Sequence, residues 1–237
     1  MFAIAVLTGC TATVGGVAVR DARTVAARNL VTILPTDAEV SDLVGNPLSD
    51  NGSRPVAGSI DVLPNGIRDN ATANPIDCLG PVSPFMRIVY EKGDVRGAAW
   101  QEFSHYGGHQ TVSSVDAGVV EFSSEAEAKR MFGEFVSSWK ACEGTTVTTY
   151  LHNAESAELY EKINDVRVAG PILSATVINS DNQQDARFPT ERAIGVAADC
   201  IVDVDVAVTD GPEPAQKPAG RAVGLVTAML ARVSRGR

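Results

Sequence analysis

The stretch Phe122-SSEAEAKRMFGEFVSSWKA-Cys142 decides the fold. Ser124 is placed to accept from the backbone N–H of Glu127, and Glu127 to reach back, which is the reciprocal arrangement of a capping box. Beyond it Ala128, Met131, Phe132, Phe135, Val136, Trp139 and Cys142 recur at helical spacing. Lys129, Arg130, Glu134 and Lys140 fall mostly off that stripe, and Gly144 follows as a stop. The spacing predicts a helix with one broad apolar face. Such a face needs a partner, most simply a sheet.

Strands are predicted on both sides. Ahead of the helix, Ala98 to Tyr106 and Gln110 to Phe122 read as a hairpin around Gly107-Gly108. After it, Thr145 to Leu151 is a β-branched run, and Ile163 to Val168 and Ile172 to Ile178 flank Gly170-Pro171. Asn179 to Glu191 reads as a polar loop. Ala193 to Val208 is the strongest strand, with Val202, Val204, Val206 and Val208 facing one way and Asp203 and Asp205 the other. Gly211 to Pro218 is turn-rich, and Ala219 to Val233 closes the chain as a helix.

Toward the N-terminus, Thr36 and Glu39 form a second capping box for a short helix ending at Gly45. Asn46 to Asn74 reads as a long surface loop, and a helix is expected from Ser83 to Tyr90 with Pro84 in its first turn. The fold class that follows is α+β, an antiparallel sheet packed by a long central helix and a C-terminal helix in one globular domain with a cleft, over residues 30–237. Residues 1–10 read as the end of a signal peptide and 11–29 as a tether. Leu7-Thr-Gly-Cys10 fits a lipobox, so Cys10 is the expected lipidation site and membrane anchor. The apolar run before it is short and carries no Lys or Arg. The competing readings are an ordinary buried cysteine in an N-terminal strand or a true start further upstream.

The 237 residues carry a formal net charge of −9 and 44% hydrophobic residues. That leaves material for a sizeable core and disfavours nonspecific nucleic-acid binding. The four cysteines, Cys10, Cys78, Cys142 and Cys200, form no CxxC pair.

An ordered series of short motifs carries a resemblance. Leu34-PTDAEVSDLV-Gly45, Asp77-Cys78-Leu-Gly, Val89-Tyr90, Trp100-Gln101, Phe122-SSEAE-Ala128, Trp139-Lys-Ala-Cys142, Glu191-Arg192-Ala-Ile and Ile201-Val-Asp203-Val204 come in sequence. Over residues 30–233 the chain resembles the extracellular sensor domain of the mycobacterial Ser/Thr kinase PknH and its free-standing relatives, which are envelope lipoproteins. The resemblance implies an exported sensor domain, no enzyme, with a cleft for an unidentified ligand. Tyr90, Trp100, Gln101, Arg192 and Asp203 are its cleft candidates. It also implies a disulfide between Cys78 and Cys142, in keeping with an oxidising location. The family's second bridge aligns with Thr190 and Ala207, neither of them cysteine, and Cys200 is then an odd thiol expected to be buried.

Other candidates have bland alternatives. His105 and His109, with His152 elsewhere, are too few for a tetrahedral metal site, and a solvated hairpin tip is preferred. Asp203 and Asp205 share a strand face and form an acid–base pair if buried in a cleft; a solvated face is preferred. Trp100 reads as core before ligand contact. No P-loop, nucleophile elbow or HExxH occurs, and no cofactor is expected. The leading expectation is an anchored lipoprotein binding a small molecule or envelope component. A structural partner of other envelope proteins is the alternative, and a cell-wall enzyme using Asp203 and Asp205 comes last.

Overall fold

The structure, a computed structural model, describes residues 30–105, 110–151, 157–182, 188–209 and 220–235. Cys10, the 11–29 segment, Gly107-Gly108, His109 and His152 lie outside these. Among the described residues nine strands form one antiparallel sheet: β1 (Val56–Gly58), β2 (Ala73–Asn74), β3 (Val95–Ser104), β4 (Val112–Phe122), β5 (Thr146–Tyr150), β6 (Glu158–Ala169), β7 (Ile172–Asp181), β8 (Phe188–Ala197) and β9 (Cys200–Val208). Their order is β1-β3-β4-β9-β8-β7-β6-β5-β2. Four α-helices accompany them among the described residues: α1 (Asp37–Val44), α2 (Arg87–Tyr90), α3 (Glu125–Cys142) and α4 (Arg221–Arg235). Among the described residues no helix is long and apolar enough to cross a membrane.

The two sheet faces bury different material. On one, α4 and α1 lie over Val115, Ala117 and Val119 of β4 and Val202, Val204, Val206 and Val208 of β9. Gly195 makes room there, since a Cβ would stand 2.6 Å from Val226 Cγ1 and 2.8 Å from Leu230 Cδ1. The Glu191 carboxylate accepts from the Arg221 backbone N–H at 2.6 Å and from its guanidinium at 2.9 Å, which fixes the start of α4. At the other end Arg232 donates to the carbonyls of Ile33 and Leu34, tying α4 to the first described turn.

On the opposite face α3 buries Ala128, Met131, Phe135, Trp139 and Cys142. These pack with Tyr90, Phe122, Leu173, Ile194 and Ile201. Cys78 is joined to Cys142 (Cα–Cα 5.6 Å), which pins the segment before α2 to the end of α3. Cys200 is buried and free, and its burial pushes the thiol up to about 12.

One capping box holds, and four local readings need correction. The capping box of α1 is complete, with both Thr36 and Glu39 bonds formed. That of α3 is half formed: Ser124 accepts from Glu127 N–H, but the Glu127 side chain turns to the Asp94 N–H (3.1 Å) and to Arg130. The helix expected from Ser83 begins only at Arg87, because Phe85 sits at φ 54°, in the left-handed region that breaks a right-handed helix. Residues 46–74 are not one loop but carry β1, β2 and a 3₁₀ turn at Ile60–Val62. Ala193 to Val208 is not one strand. It turns at Ala198-Asp199, between β8 and β9, with Ala198 at φ 50°. No glycine or asparagine announces that turn.

Candidate functional site

On the α3 face the antiparallel register sets four charged residues in line. Glu102 of β3 is opposite Asp116 of β4, Asp116 is opposite Asp205 of β9, and Asp205 is opposite Arg192 of β8. Directly opposed side chains lie roughly 5 Å apart at Cβ, and like charges there are destabilising. A sequence that tolerates three acids in such a row is not optimised for stability at that point.

The one cation in the row is already committed. Arg192, 1% exposed, pairs with Asp203 at 2.9 Å. It donates to the carbonyls of Val204 (2.9 Å), Pro81 (3.3 Å) and Gly80 (3.3 Å), and its guanidinium lies 5.6 Å from the Trp139 ring centroid. Its distance to Asp205 is 3.9 Å. Asp203 in turn accepts from the Tyr90 hydroxyl (2.8 Å) and from the Phe85 N–H (3.2 Å), which holds the strained Phe85 backbone in place. Gly118 leaves room for the Phe85 ring, because a Cβ would stand 2.7 Å from it. Burial and the neighbouring Asp203 push the Tyr90 hydroxyl well above its usual range.

The remaining acids are short of positive charge. Burial pushes Asp116 up to about 6, with Glu102 adding to the effect, and Asp205 up to about 8, with Asp116, Asp203 and Glu161 adding to it. Glu161 of β6, on the same face, accepts from the Thr149 hydroxyl at 2.7 Å, and its burial takes it up to about 7. Clustered shifts of this kind make the row a candidate functional site.

Of the sequence candidates, the structure brings together Tyr90, Arg192 and Asp203. Trp100 stands on the same face, its ring 6.2 Å from Phe85 and its Nε1 donating to the Val62 carbonyl at 3.0 Å. Gln101 points to the other face and donates to Asp50 Oδ2 (3.0 Å) and the Ser53 carbonyl (3.2 Å). The solvated face expected for Asp203 and Asp205 is corrected: Asp203 is 2% exposed, since the segment from Gly80 to Tyr90 closes over it and Arg192, and the Asp205 side chain is 13% exposed. Asp116, Glu102 and Glu161 were not singled out by the sequence, because only strand register aligns them with Asp205. Among the described residues no group of three or more His, Cys, Asp or Glu is placed to hold a metal ion. On the α4 face a recess of about 130 Å³ is lined by Arg167, Ser174, Thr176 and Glu191. The Glu191 carboxylate already occupies the helix start beside it.

The profile of the PknH-like extracellular domain matches residues 25–232. The chain belongs to the PknH-like extracellular domain family. Its fold is that of the extracellular domain of PknH from Mycobacterium tuberculosis, with a TM-score of 0.71 at 18% identity, covering 88% of this chain and 96% of that one. An uncharacterized protein of Mycobacterium smegmatis aligns over 76% of this chain and 85% of its own at 14% identity, with a TM-score of only 0.37. A search of curated proteins finds no match. Membership makes this an exported protein with a sensor-type extracellular domain. Thr190 and Ala207, aligned above with the family's second bridge, are direct cross-strand partners on β8 and β9. The Thr190 hydroxyl accepts from Asn179 Nδ2 at 2.7 Å.

Proposed function

We propose that this protein is a lipoprotein anchored at Cys10, and that its sensor-type domain binds a small molecule or envelope component along the row Glu102–Asp116–Asp205–Arg192. The observation that carries the reading is the row itself: directly opposed acids, Asp116 and Asp205 half buried and Glu102 exposed at the end, whose neighbouring arginine is spent on Asp203. An occupant offering hydrogen-bond donors or a positive group would relieve that arrangement. The same geometry argues for binding over turnover. Asp203 is committed to Arg192, Tyr90 and Phe85, so the Asp203–Asp205 acid–base pair lacks a free partner.

Chemical-shift mapping with soluble peptidoglycan fragments tests the site. Perturbations centred on Asp116, Asp205 and Arg192 that vanish in Asp116→Asn/Asp205→Asn are expected. Perturbations that map elsewhere, survive the double substitution or never arise contradict it. The anchor is tested separately by detergent partitioning of cells expressing wild type or Cys10→Ala. Equal distribution would remove it.

A further inference from the structure

We propose that Asp116 and Asp205 hold one proton between them at neutral pH, and that loss of this proton to bulk water weakens the α3 face, so that the site described above is operated by pH. The proposal rests on that site for its place in the molecule, but the proton pair stands on geometry of its own.

Asp116 and Asp205 are direct cross-strand partners on the buried side of β4 and β9. Two carboxylates so placed cannot both ionise cheaply, and one proton shared between them removes the repulsion. The groups that face the pair from each packed element deepen the effect. β3 brings Glu102, β6 brings Glu161 and β9 itself brings Asp203, all acids, while Tyr90 of α2 is an uncharged hydroxyl bonded to Asp203. Among the described residues β8 brings the one cation that faces the pair, Arg192, which is held by Asp203 and by three backbone carbonyls and reaches Asp205 only at 3.9 Å. Both acids are therefore raised, Asp116 to about 6 and Asp205 to about 8.

The sign follows from proton counting. Unfolded aspartates release their protons near pH 4, so between about 4 and 8 the folded chain binds more protons than the unfolded one. Stability from these groups is present at mildly acid pH and is lost as pH rises through the folded values. If the site takes a positively charged occupant, binding displaces the same proton and strengthens as pH rises.

The test is a set of thermal melts of the full chain, without any ligand, from about pH 5 to about pH 8.5. The wild-type melting temperature is expected to fall by at least about 4 °C across that range. Asp205→Asn, which keeps the shape and removes the charge, is expected to abolish most of the fall. Glu161→Gln, the control, is expected to remove only a part. A flat or rising wild-type profile overturns the proposal. So does an Asp205→Asn profile parallel to wild type, or a Glu161→Gln profile that is already flat. If Asp205→Asn does not fold, Asp116→Asn reads the same pair from the other strand. Because no ligand is present, failure here leaves the binding site standing, and failure of the shift mapping leaves the proton pair standing.

Discussion

The two sides of β9 are both buried, but by different means. On one side Val202, Val204, Val206 and Val208 lie under α4 and α1 and need nothing but apolar contact. Each buried valine contributes about 1.5–3 kcal/mol from its removal from water. On the other side Asp203 lies under the Gly80–Tyr90 segment with Asp205 beside it, where burial demands partners. Asp203 has three: Arg192, Tyr90 and the Phe85 N–H. Asp205, one pleat further along the same side, has Arg192 at 3.9 Å and an acid on the strand opposite. Within two residues the strand thus passes from a buried aspartate paired with Arg192 at 2.9 Å to one that Arg192 reaches only at 3.9 Å. That step separates the part of the α3 face that holds the fold from the part proposed above as the binding site.

The largest effect should come from breaking the satisfied charge. Asp203→Ala leaves Arg192 buried without its counter-ion and releases Tyr90 and Phe85. We expect a loss of about 3–5 kcal/mol by denaturant unfolding. A loss below about 1 kcal/mol would erase the distinction between the two aspartates. Next comes the covalent tie that holds the covering segment. The Cys78–Cys142 bridge spans 64 residues of sequence, and its removal by paired alanine substitution should cost about 2–4 kcal/mol. Hydrogen exchange should then rise first in residues 79–90; exchange rising first in α4 would place the weak point on the wrong face.

The valine side is probed by crowding. Gly195→Ala drives a methyl against Val226 and Leu230 and should cost about 1–3 kcal/mol, with no change in how stability depends on pH. A changed pH profile would mean that the two faces are coupled. The smallest effect is expected at α1, where Thr36→Ala removes the N-cap bond to Glu39 N–H at about 1 kcal/mol.

How far the sequence was legible follows the same division. Helix α3 was readable because its stripe, its Ser124 cap and its Gly144 stop agree. The valine side of β9 was readable because alternation alone sets it. The hairpin turn at Ala198-Asp199 was not, because its left-handed residue is an alanine. The Ser83 start of α2 failed for a similar reason, since Phe85 adopts a left-handed backbone that only its bond to Asp203, 118 residues away, explains. The site was half legible. Tyr90, Arg192 and Asp203 stand in recognisable motifs, and the structure shows that they serve one another. Asp116 and Glu102 carry no local signal at all. They become part of a row only through the register of β3, β4 and β9.

The charge on Asp205 can be read directly. A ¹³C carboxyl titration of the full chain, with assignments checked against Asp205→Asn and Asp116→Asn, follows the row without perturbing it. The account predicts two linked steps, one near the value of about 6 for Asp116 and one near about 8 for Asp205, with the Asp205 step moving down when Asp116 is replaced by asparagine. If both carboxyls titrate independently at about 4, as exposed aspartates do, the row is solvated and ordinary, and the contrast between the two aspartates of β9 collapses.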